Sequence, residues 1–561
     1  MSTVGECLIG ALREQGVEHT FGLPGDFVIG LYDIFEKDGR IKPVVMTHEP
    51  GAGFAADAYA RCKGLGVAMV TYCVGGLNCV NPVAGAYAEK SPVLVISGGP
   101  GILERRTNAL LHHRVKTFET QRRVYEEVCC RASVLHSAAE APRVLADTIA
   151  TIKRLNRPGY IEIPRDLYKA PAVPVPVQHR PLPVDPDALC ESIGEAAAML
   201  NRASDPLIIV GIEVHRLRIA DKVRQLAARI GAPLVSTLES KSVLSERESL
   251  GVYAGALSSS LELRRRVEQS DCVLMLGAFM TEFDMGVYTA HLDPRRTISV
   301  STETCQISYH VYPSVPLVPF VDALLSDPNI RPHAPRPEPG PNGLAAGPAP
   351  QMADRITIKS LYRLIDERLR DDHVVVCDVG DCLFAAIGLH VPTEAGLIAP
   401  ANYTSMGFGV PGAVGAELAL KRRPIVLVGD GAFQMTGMEL STAARYGLSP
   451  IVIVLNNGTF VTLNNVIAGA FNQIGRWDYC RLVEGMGAGR GYRVETVGQF
   501  VQAFEAAERS REAALLDVIL EPNDQSEILA RFVVELAKRA KASPETTPQS
   551  AKDIKQPSPT M

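Results

Sequence analysis

A strand–helix–strand pattern in the last third of the chain constrains its fold more than any other feature. An apolar run of strand type, residues 424–429, leads directly into Gly-Asp-Gly with Asp430 at its centre. Residues 432–445 carry apolar side chains at helical spacing, and a second apolar run, residues 450–455, precedes two asparagines that end at Asn457. The pattern predicts a β-α-β unit with Asp430 and Asn457 at the carboxyl ends of neighbouring parallel strands.

The polar residues of this unit suit a site for a metal ion and a diphosphate. Carboxylate and amide oxygens are hard ligands of the kind that Mg²⁺ prefers, together with phosphate oxygens. Gly429 and Gly431 would let main-chain N–H groups approach a diphosphate at the start of the following helix. Gly-Asp-Gly and Asn-Asn are also ordinary turn sequences. The spacing and the strand–helix–strand context favour the ligand site.

Two proline-rich stretches, residues 170–186 and 331–350, divide the chain. Proline is excluded from helix interiors and central strands, so both stretches are predicted to be extended surface linkers. The two stretches separate three blocks of domain size. A polar, proline-containing tail follows the third block, and we expect it to be disordered. These parts are residues 1–170, 187–330, 353–540 and 541–561.

Each of the three blocks alternates short apolar runs with amphipathic segments. In the first block, for example, the strand-like runs 66–72 and 92–97 flank a helical segment over residues 81–90. Such alternation predicts parallel sheets covered by helices on both faces. The fold class is therefore α/β, with three doubly wound parallel-sheet domains.

Composition excludes several kinds of partner. A net charge of −5 with a pI near 6.2 provides no basic surface for nucleic acid. No apolar run reaches the roughly 18 residues that a membrane span needs, and the N-terminus lacks the pattern of a signal peptide. The twelve cysteines form no paired CxxC motifs. We expect reduced thiols in a cytoplasmic protein.

The unit around Asp430 resembles the diphosphate-binding motif of thiamine diphosphate enzymes. In that family the Asp, the second Asn and a main-chain carbonyl two residues later bind the metal ion. The resemblance assigns these roles to Asp430, Asn457 and Thr459, with Gly429 and Gly431 beside the diphosphate. It also implies two cofactors, thiamine diphosphate and Mg²⁺.

Three motifs of the first block resemble those of thiamine-dependent 2-keto acid decarboxylases. They are the Gly-x-Pro-Gly-Asp turn that ends at Asp26, the segment 47–61 that contains Glu49, and the histidine pair His112-His113. The pair is typical of the pyruvate, indolepyruvate and phenylpyruvate decarboxylase branch. The resemblance extends in the same order from about residue 3 to residue 535.

The resemblance assigns a role to each of these residues. Glu49 would hydrogen-bond the aminopyrimidine ring and promote activation of the cofactor, while Asp26, His112 and His113 would form an acid/base set around the bound 2-keto acid. Taken singly, a helix-terminal Glu, a turn Asp and a polar His pair have ordinary structural explanations. The complete set, in order, favours the catalytic interpretation.

Three positions of the third block complete the set of candidate residues. Met406 matches the bulky apolar residue that lies between the two cofactor rings, and the carbonyl of Thr404 would accept a hydrogen bond from the 4′-amino group. Leu463 occupies the position where pyruvate decarboxylases carry a Glu. The phenylpyruvate branch resembles this chain in having a Leu there. An aliphatic side chain there should widen and dry the pocket, which favours aromatic or long aliphatic substrates over pyruvate.

The function implied by the resemblance is that of a carboxy-lyase that converts an aromatic or bulky 2-keto acid to an aldehyde and CO₂. A carboligase that makes acyloins is the alternative, motivated by the missing Glu and opposed by the histidine pair. A catalytically inactive scaffold and a flavin-containing acetolactate synthase-like enzyme are weaker alternatives. In the family the cofactor lies between the pyrimidine-binding domain of one copy and the diphosphate-binding domain of another, so we expect a homodimer or homotetramer, with no nucleic acid or membrane partner.

Overall fold

The computed structural model of the protein describes residues 2–334 and 348–541, with side chains to residue 538. The predicted disordered tail lies outside the described residues from position 542 onward, as does the central part of the second proline-rich stretch. In the first stretch, residues 173–185 form neither helix nor strand and are mostly exposed. The domain boundaries themselves stay a prediction.

The first block contains a six-stranded, fully parallel sheet. A separate antiparallel pair, β1 with β8, joins the start of the chain to the end of the block. The strands are β1 (Ser2–Thr3), β2 (His19–Gly22), β3 (Lys42–Val45), β4 (Gly66–Val70), β5 (Val93–Gly99), β6 (Arg131–Val134), β7 (Gly159–Pro164) and β8 (Pro171–Ala172). The helices are α1 (Val4–Glu14), α2 (Ile29–Asp38), α3 (Glu49–Lys63), α4 (Val74–Asn78), α5 (Val80–Ala88), α6 (Ile102–Arg106), α7 (Thr120–Glu126) and α8 (Ala141–Leu155).

The middle block has a seven-stranded sheet in which five parallel strands are extended by two antiparallel ones. Its strands are β9 (Pro206–Val210), β10 (Leu234–Ser236), β11 (Ser249–Val252), β12 (Cys272–Leu276), β13 (Thr297–Val300), β14 (Cys305–Ile307) and β15 (His310–Tyr312). Its helices are α9 (Pro186–Arg202), α10 (Ile212–Arg216), α11 (Ala220–Ile230), α12 (Leu261–Gln269) and α13 (Leu317–Ser326). The antiparallel strands β14 and β15 add a feature that the sequence reasoning had not included.

The third block repeats the architecture of the first with six parallel strands. The strands are β16 (His373–Cys377), β17 (Leu397–Ile398), β18 (Arg423–Gly429), β19 (Ile451–Asn456), β20 (Arg490–Val494) and β21 (Ala514–Ile519). The helices are α14 (Ile358–Asp366), α15 (Asp381–Ala386), α16 (Gly409–Leu420), α17 (Asp430–Thr436), α18 (Glu439–Arg445), α19 (Val461–Asn464), α20 (Tyr479–Gly485), α21 (Val497–Arg509) and α22 (Glu527–Lys541). The predicted α/β fold class is confirmed.

The first and third sheets have the same strand order. The orders β3-β2-β4-β5-β7-β6 and β17-β16-β18-β19-β21-β20 both become 2-1-3-4-6-5 when the strands are numbered within their own sheet. In each sheet the strand order reverses between the first and the third strand, although all strands stay parallel. Open α/β sheets bind ligands at the carboxyl ends of the two strands beside such a reversal of order. In the third sheet that point lies between β16 and β18.

The crevice at the corresponding point of the middle sheet is closed. A β-carbon at Gly211, which follows β9, would lie 2.1 Å from the carbonyl oxygen of Gly277, which follows β12. Beside this contact, Lys90 of the first block forms a buried ion pair with Glu213. The strand ends where doubly wound domains bind nucleotides are therefore occupied by the protein's own groups.

The helical segment predicted over residues 432–445 consists of two helices, α17 and α18. They are separated at Gly437 and Met438, where the main chain changes to i→i+3 hydrogen bonds such as that from the N–H of Leu440 to the carbonyl of Gly437. A β-carbon at Gly437 would lie 2.5 Å from the Phe433 ring. The apolar spacing gave the helical conformation correctly but could not show this break.

Helix α3 of the first block packs directly on helix α16 of the third. A single hydrophobic cluster contains buried side chains of both blocks. The rings of Phe54 and Phe408 meet edge to face with their centroids 5.8 Å apart. A β-carbon at Gly415 would lie 2.1 Å from the carbonyl oxygen of Ala55, so the helices could not approach this closely with a larger residue.

Two observations bear on the environment of the protein. None of the helices within the described ranges is both long and apolar enough to cross a membrane. All twelve cysteines are free thiols, and most of them are buried.

We predict that Gly415→Ala lowers the free energy of unfolding by roughly 1–3 kcal/mol, because the added methyl group forces α3 and α16 apart. The midpoint of urea unfolding measures the change. Gly194→Ala is the matched control, since a β-carbon at this exposed position of α9 meets no atom within 4 Å. Its better helix propensity should raise stability by up to about 1 kcal/mol. Equal effects of the two substitutions would contradict the close approach of α3 and α16.

Candidate active site

A cavity of about 320 Å³ opens at the carboxyl ends of β18 and β19. All eight candidate residues of the third block lie in its wall, which are Thr404, Met406, Gly429, Asp430, Gly431, Asn457, Thr459 and Leu463. Further walls are apolar and include Leu238, Phe283, Phe384, Val461, Ile474 and Phe532. The cavity therefore connects a polar end, at the strand termini, to an aromatic and aliphatic end.

Asp430 is a buried acid at the first position of α17. Its two carboxylate oxygens accept hydrogen bonds from the N–H groups of Gly431 at 2.9 Å and Gly458 at 2.7 Å. Within the parts of the chain that the structure describes, no Lys, Arg or His nitrogen lies within 4 Å of this carboxylate. Burial raises the pKa of Asp430 to about 6. A cation at this position would supply the missing positive charge.

The other oxygen donors lie beside Asp430. The side-chain oxygen of Asn457 accepts the N–H of Thr459 at 3.1 Å, and the hydroxyl of Thr459 donates to the carbonyl of Asn472 at 3.1 Å. A β-carbon built at Gly429 would meet no atom within 4 Å, so the main chain there faces open space. A carboxylate, an amide oxygen and a main-chain carbonyl fit a hard divalent cation that also binds phosphate oxygens.

The loop that carries Thr404 and Met406 has an unusual backbone. Thr404 has a φ of +55° and Gly407 a φ of +92°. A β-branched residue with positive φ is a genuine outlier, and such residues persist only where the surroundings enforce them. The strain therefore lies in the wall of the cavity that Asp430 and Asn457 also line.

The first block holds a second cluster, formed by Asp26, His112 and His113. Nε2 of His112 lies 2.6 Å from Oδ2 of Asp26, and Nε2 of His113 lies 3.7 Å from Oδ1. The two imidazole rings meet edge to face with centroids 4.5 Å apart. The backbone of His113 has a φ of +65°, which directs consecutive histidines toward one carboxylate. The cluster can hold and exchange protons at three neighbouring groups.

Glu49 is the first residue of α3, and two residues outside every motif position it. Its Oε2 accepts a hydrogen bond from Nδ2 of Asn78 at 2.9 Å. The carboxylate of Glu439, from the third block, accepts the N–H groups of Thr47 at 3.1 Å and His48 at 3.3 Å. Sequence reasoning missed Asn78 and Glu439, because only the tertiary structure brings these positions beside Glu49.

The candidate residues form two separate groups within one chain. Every residue that lines the cavity lies between Leu238 and Phe532, so Asp26, Glu49, His112 and His113 are not among them. Large apolar side chains near both groups are exposed, including Val74, Leu110, Val115, Met435, Leu463, Val466 and Phe471. Contiguous apolar patches of large area are typical of surfaces that another molecule covers.

Comparison with known protein families identifies three parts of the chain as domains of one class of enzyme. Three family descriptions match, all of them thiamine pyrophosphate enzyme domains; this cofactor is also called thiamine diphosphate. The N-terminal TPP binding domain matches residues 2–119, the central domain residues 193–327, and the C-terminal TPP binding domain residues 378–518.

Individual relatives are similar over nearly their whole length. An indole-3-pyruvate decarboxylase of Azospirillum brasilense is 38% identical over 558 residues, which cover 96% of this chain and 99% of that protein. An alpha-keto-acid decarboxylase of Mycobacterium leprae is 31% identical over 546 residues, covering 94% of each chain. The chain belongs to the thiamine diphosphate-dependent 2-keto acid decarboxylase family. These relatives give no support to the carboligase alternative.

Proposed function

We propose that the protein is a decarboxylase that uses thiamine diphosphate and Mg²⁺ to convert an aromatic or bulky 2-keto acid to the aldehyde and CO₂. One observation carries the proposal: a single cavity connects the oxygen ligands at Asp430 and Asn457 to a large apolar wall. The name of the Azospirillum relative, which specifies indole-3-pyruvate, supports an aromatic substrate.

Residues of the third block would hold the cofactor. Asp430, the side chain of Asn457 and the carbonyl of Thr459 would bind Mg²⁺, with Gly429 and Gly431 beside the diphosphate. Met406 and the carbonyl of Thr404 would support the ring system. When bound, thiamine diphosphate supplies the carbon nucleophile and the electron sink that decarboxylation needs.

The first block would supply the acid and base groups. Glu49 would hold a proton at its carboxyl group against the aminopyrimidine ring, in an orientation fixed by Asn78. Asp26 and His112, which are already hydrogen-bonded, would orient the substrate carboxylate and deliver a proton before the aldehyde leaves, with His113 as their neighbour.

The apolar end of the cavity would bind the side chain of the substrate. Phe384 lies 6.2 Å from Phe283 and 5.5 Å from Phe532 between ring centroids, so three aromatic rings form one wall. Leu463 extends the apolar surface at the edge of the cavity. An aryl or long aliphatic group buries much more apolar area here than the methyl group of pyruvate does.

Two copies of the chain would complete each site. The cavity lacks the acid and base groups of the first block, and exposed apolar residues flank both groups. We therefore propose a homodimer, or a homotetramer built from such dimers, in which Glu49 of one copy meets the Asp430 end of another. The free thiols support a reducing, cytoplasmic location.

The purified protein, supplied with thiamine diphosphate and Mg²⁺, should release CO₂ and an aldehyde from phenylpyruvate or indole-3-pyruvate. Removal of the metal with EDTA should abolish turnover, and Mg²⁺ should restore it. Asp430→Asn should raise the Mg²⁺ concentration for half-maximal activity at least about tenfold, because it removes the charge that binds the ion. Asp147→Asn, at an exposed position of α8, is the control.

The only tryptophan gives a separate measure of cofactor binding. Trp477 lies 6.1 Å from Tyr479, whose hydroxyl accepts a hydrogen bond from Gln434 of α17, so its fluorescence should change on cofactor binding. No turnover of any 2-keto acid by protein that binds the cofactor would contradict the proposed reaction.

Leu463→Glu should lower the ratio of kcat/KM for phenylpyruvate over kcat/KM for pyruvate at least about tenfold. The carboxylate introduced at position 463 would lose its hydration when the aromatic group of phenylpyruvate binds beside it. This loss costs free energy that the small methyl group of pyruvate avoids. Leu463→Met conserves volume and polarity and should leave the ratio within a factor of about three. An unchanged ratio in the Glu variant would exclude Leu463 from the substrate pocket.

A further inference from the structure

Asp378 is a buried carboxylate to which no motif assigns a role. It directly follows β16, at the point where the third sheet reverses its strand order, and its side chain is fully buried. It is absent from the wall of the cavity. Throughout the described part of the chain, no cationic side chain lies within ion-pair distance of its oxygens. Burial raises the pKa of Asp378 to about 6.

The main chain of one loop surrounds this carboxylate. Its Oδ2 accepts the N–H of Gly409 at 2.7 Å, and both oxygens lie 3.2 Å from the nitrogen of Gly407. Its Oδ1 also accepts the N–H of the adjacent Val379 at 2.9 Å. Several N–H groups that converge on one carboxylate stabilise its ionised form and so offset part of the effect of burial without a counter-ion.

The same loop carries Thr404 and Met406 in a conformation that needs external support. Thr404 and Gly407 both have positive φ values. The carbonyl of Gly407 accepts the hydroxyl of Thr436 at 2.7 Å, while the N–H of Gly407 points to Asp378. Asp378 and Thr436 therefore fix the two peptide units on either side of Gly407, directly after Met406. Of these two contacts, only that of Asp378 comes from a charged group.

An uncharged residue could not make the same contacts. Asparagine has the shape of aspartate but offers one acceptor oxygen, and its NH₂ group would face an N–H donor of the loop. An unsatisfied N–H in a buried position would then favour a different loop conformation. Asp378 is a buried carboxylate without a counter-ion, and it accepts hydrogen bonds mainly from the main chain of this one loop. This arrangement indicates that its role is to hold the geometry of the loop.

We propose that Asp378 is a positioning residue that sets the loop 404–407 and thereby places the Met406 side chain and the Thr404 carbonyl against the cofactor. The inference rests on the proposed function, because it assumes that this loop supports thiamine diphosphate. Asp378 acts through the main chain and touches neither substrate nor cofactor.

Asp378→Asn in the holoenzyme tests the proposal. We expect the affinity for thiamine diphosphate and kcat to fall about 10- to 100-fold each, as for other residues that orient direct ligands. KM for the 2-keto acid should change much less, since the substrate pocket is intact. The near-UV circular dichroism of the bound cofactor, which depends on the relative orientation of its two rings, should also change.

Two further variants separate positioning from stability. Glu417→Gln removes a half-buried carboxylate of α16 that accepts the N–H of Ser449 at 3.0 Å, away from the cavity, so it should lower stability but leave kcat, cofactor affinity and circular dichroism unchanged. Thr436→Val removes the other anchor of Gly407 and should reproduce the Asp378→Asn effects in weaker form. It replaces the Asp378 variant if that protein does not fold.

The outcomes distinguish this proposal from the proposed function. Wild-type holoenzyme without any turnover of 2-keto acids would reject the function itself. Active wild type, together with Asp378→Asn or Thr436→Val proteins that keep wild-type cofactor affinity, kcat and circular dichroism, would overturn the positioning role alone.

Discussion

Buried carboxylates that accept main-chain N–H groups hold the functional parts of this protein in place. Asp430 binds the N–H groups of Gly431 and Gly458, and Asp378 binds those of Gly407 and Gly409. Glu439 binds the residues that precede Glu49. Each carboxylate gives up its hydration, and the converging N–H groups replace it. The loops they fix carry the candidate ligands and acids, so the geometry of the site depends on these contacts.

The repeated strand order of the first and third sheets explains why one chain contains two separate groups of candidate site residues. Each sheet places its polar residues at the carboxyl ends of its strands, as parallel sheets do. The direct packing of α3 on α16 holds the two sheets together inside one chain, while the cavity is lined without any residue of the first block. A second copy could bring its own Glu49, Asp26 and histidines to that cavity, which is the arrangement we propose.

Local patterns in the sequence predict the strands and the positions of the motif residues well. An apolar run that ends in glycine marked β18, and one that ends before two asparagines marked β19. The spacing between Asp430 and Asn457 brought both to one cavity. The break between α17 and α18 was missed, because it depends on how Gly437 meets the Phe433 ring. Asp378 and Glu439 were missed for a related reason: their partners are main-chain groups that leave no signature in side-chain identity. The antiparallel strands β14 and β15 are short, and nothing in their composition separates them from loops.

The central claim is that Glu49 of one copy works with Asp430 of another, and complementation between two inactive variants tests it most directly. Glu49→Gln and Asp430→Asn chains, co-expressed with different tags, would be purified as hybrids through both tags in turn. In a hybrid dimer one site contains both substitutions and the other contains neither, so the account predicts about half of the wild-type decarboxylase activity per dimer. Assayed at or below the Mg²⁺ concentration that is half-maximal for the wild type, each parent variant alone should retain only a small fraction of wild-type activity, because Asp430→Asn then binds little Mg²⁺. Hybrids as inactive as the parents would contradict the shared site and place both residues in the site of a single chain.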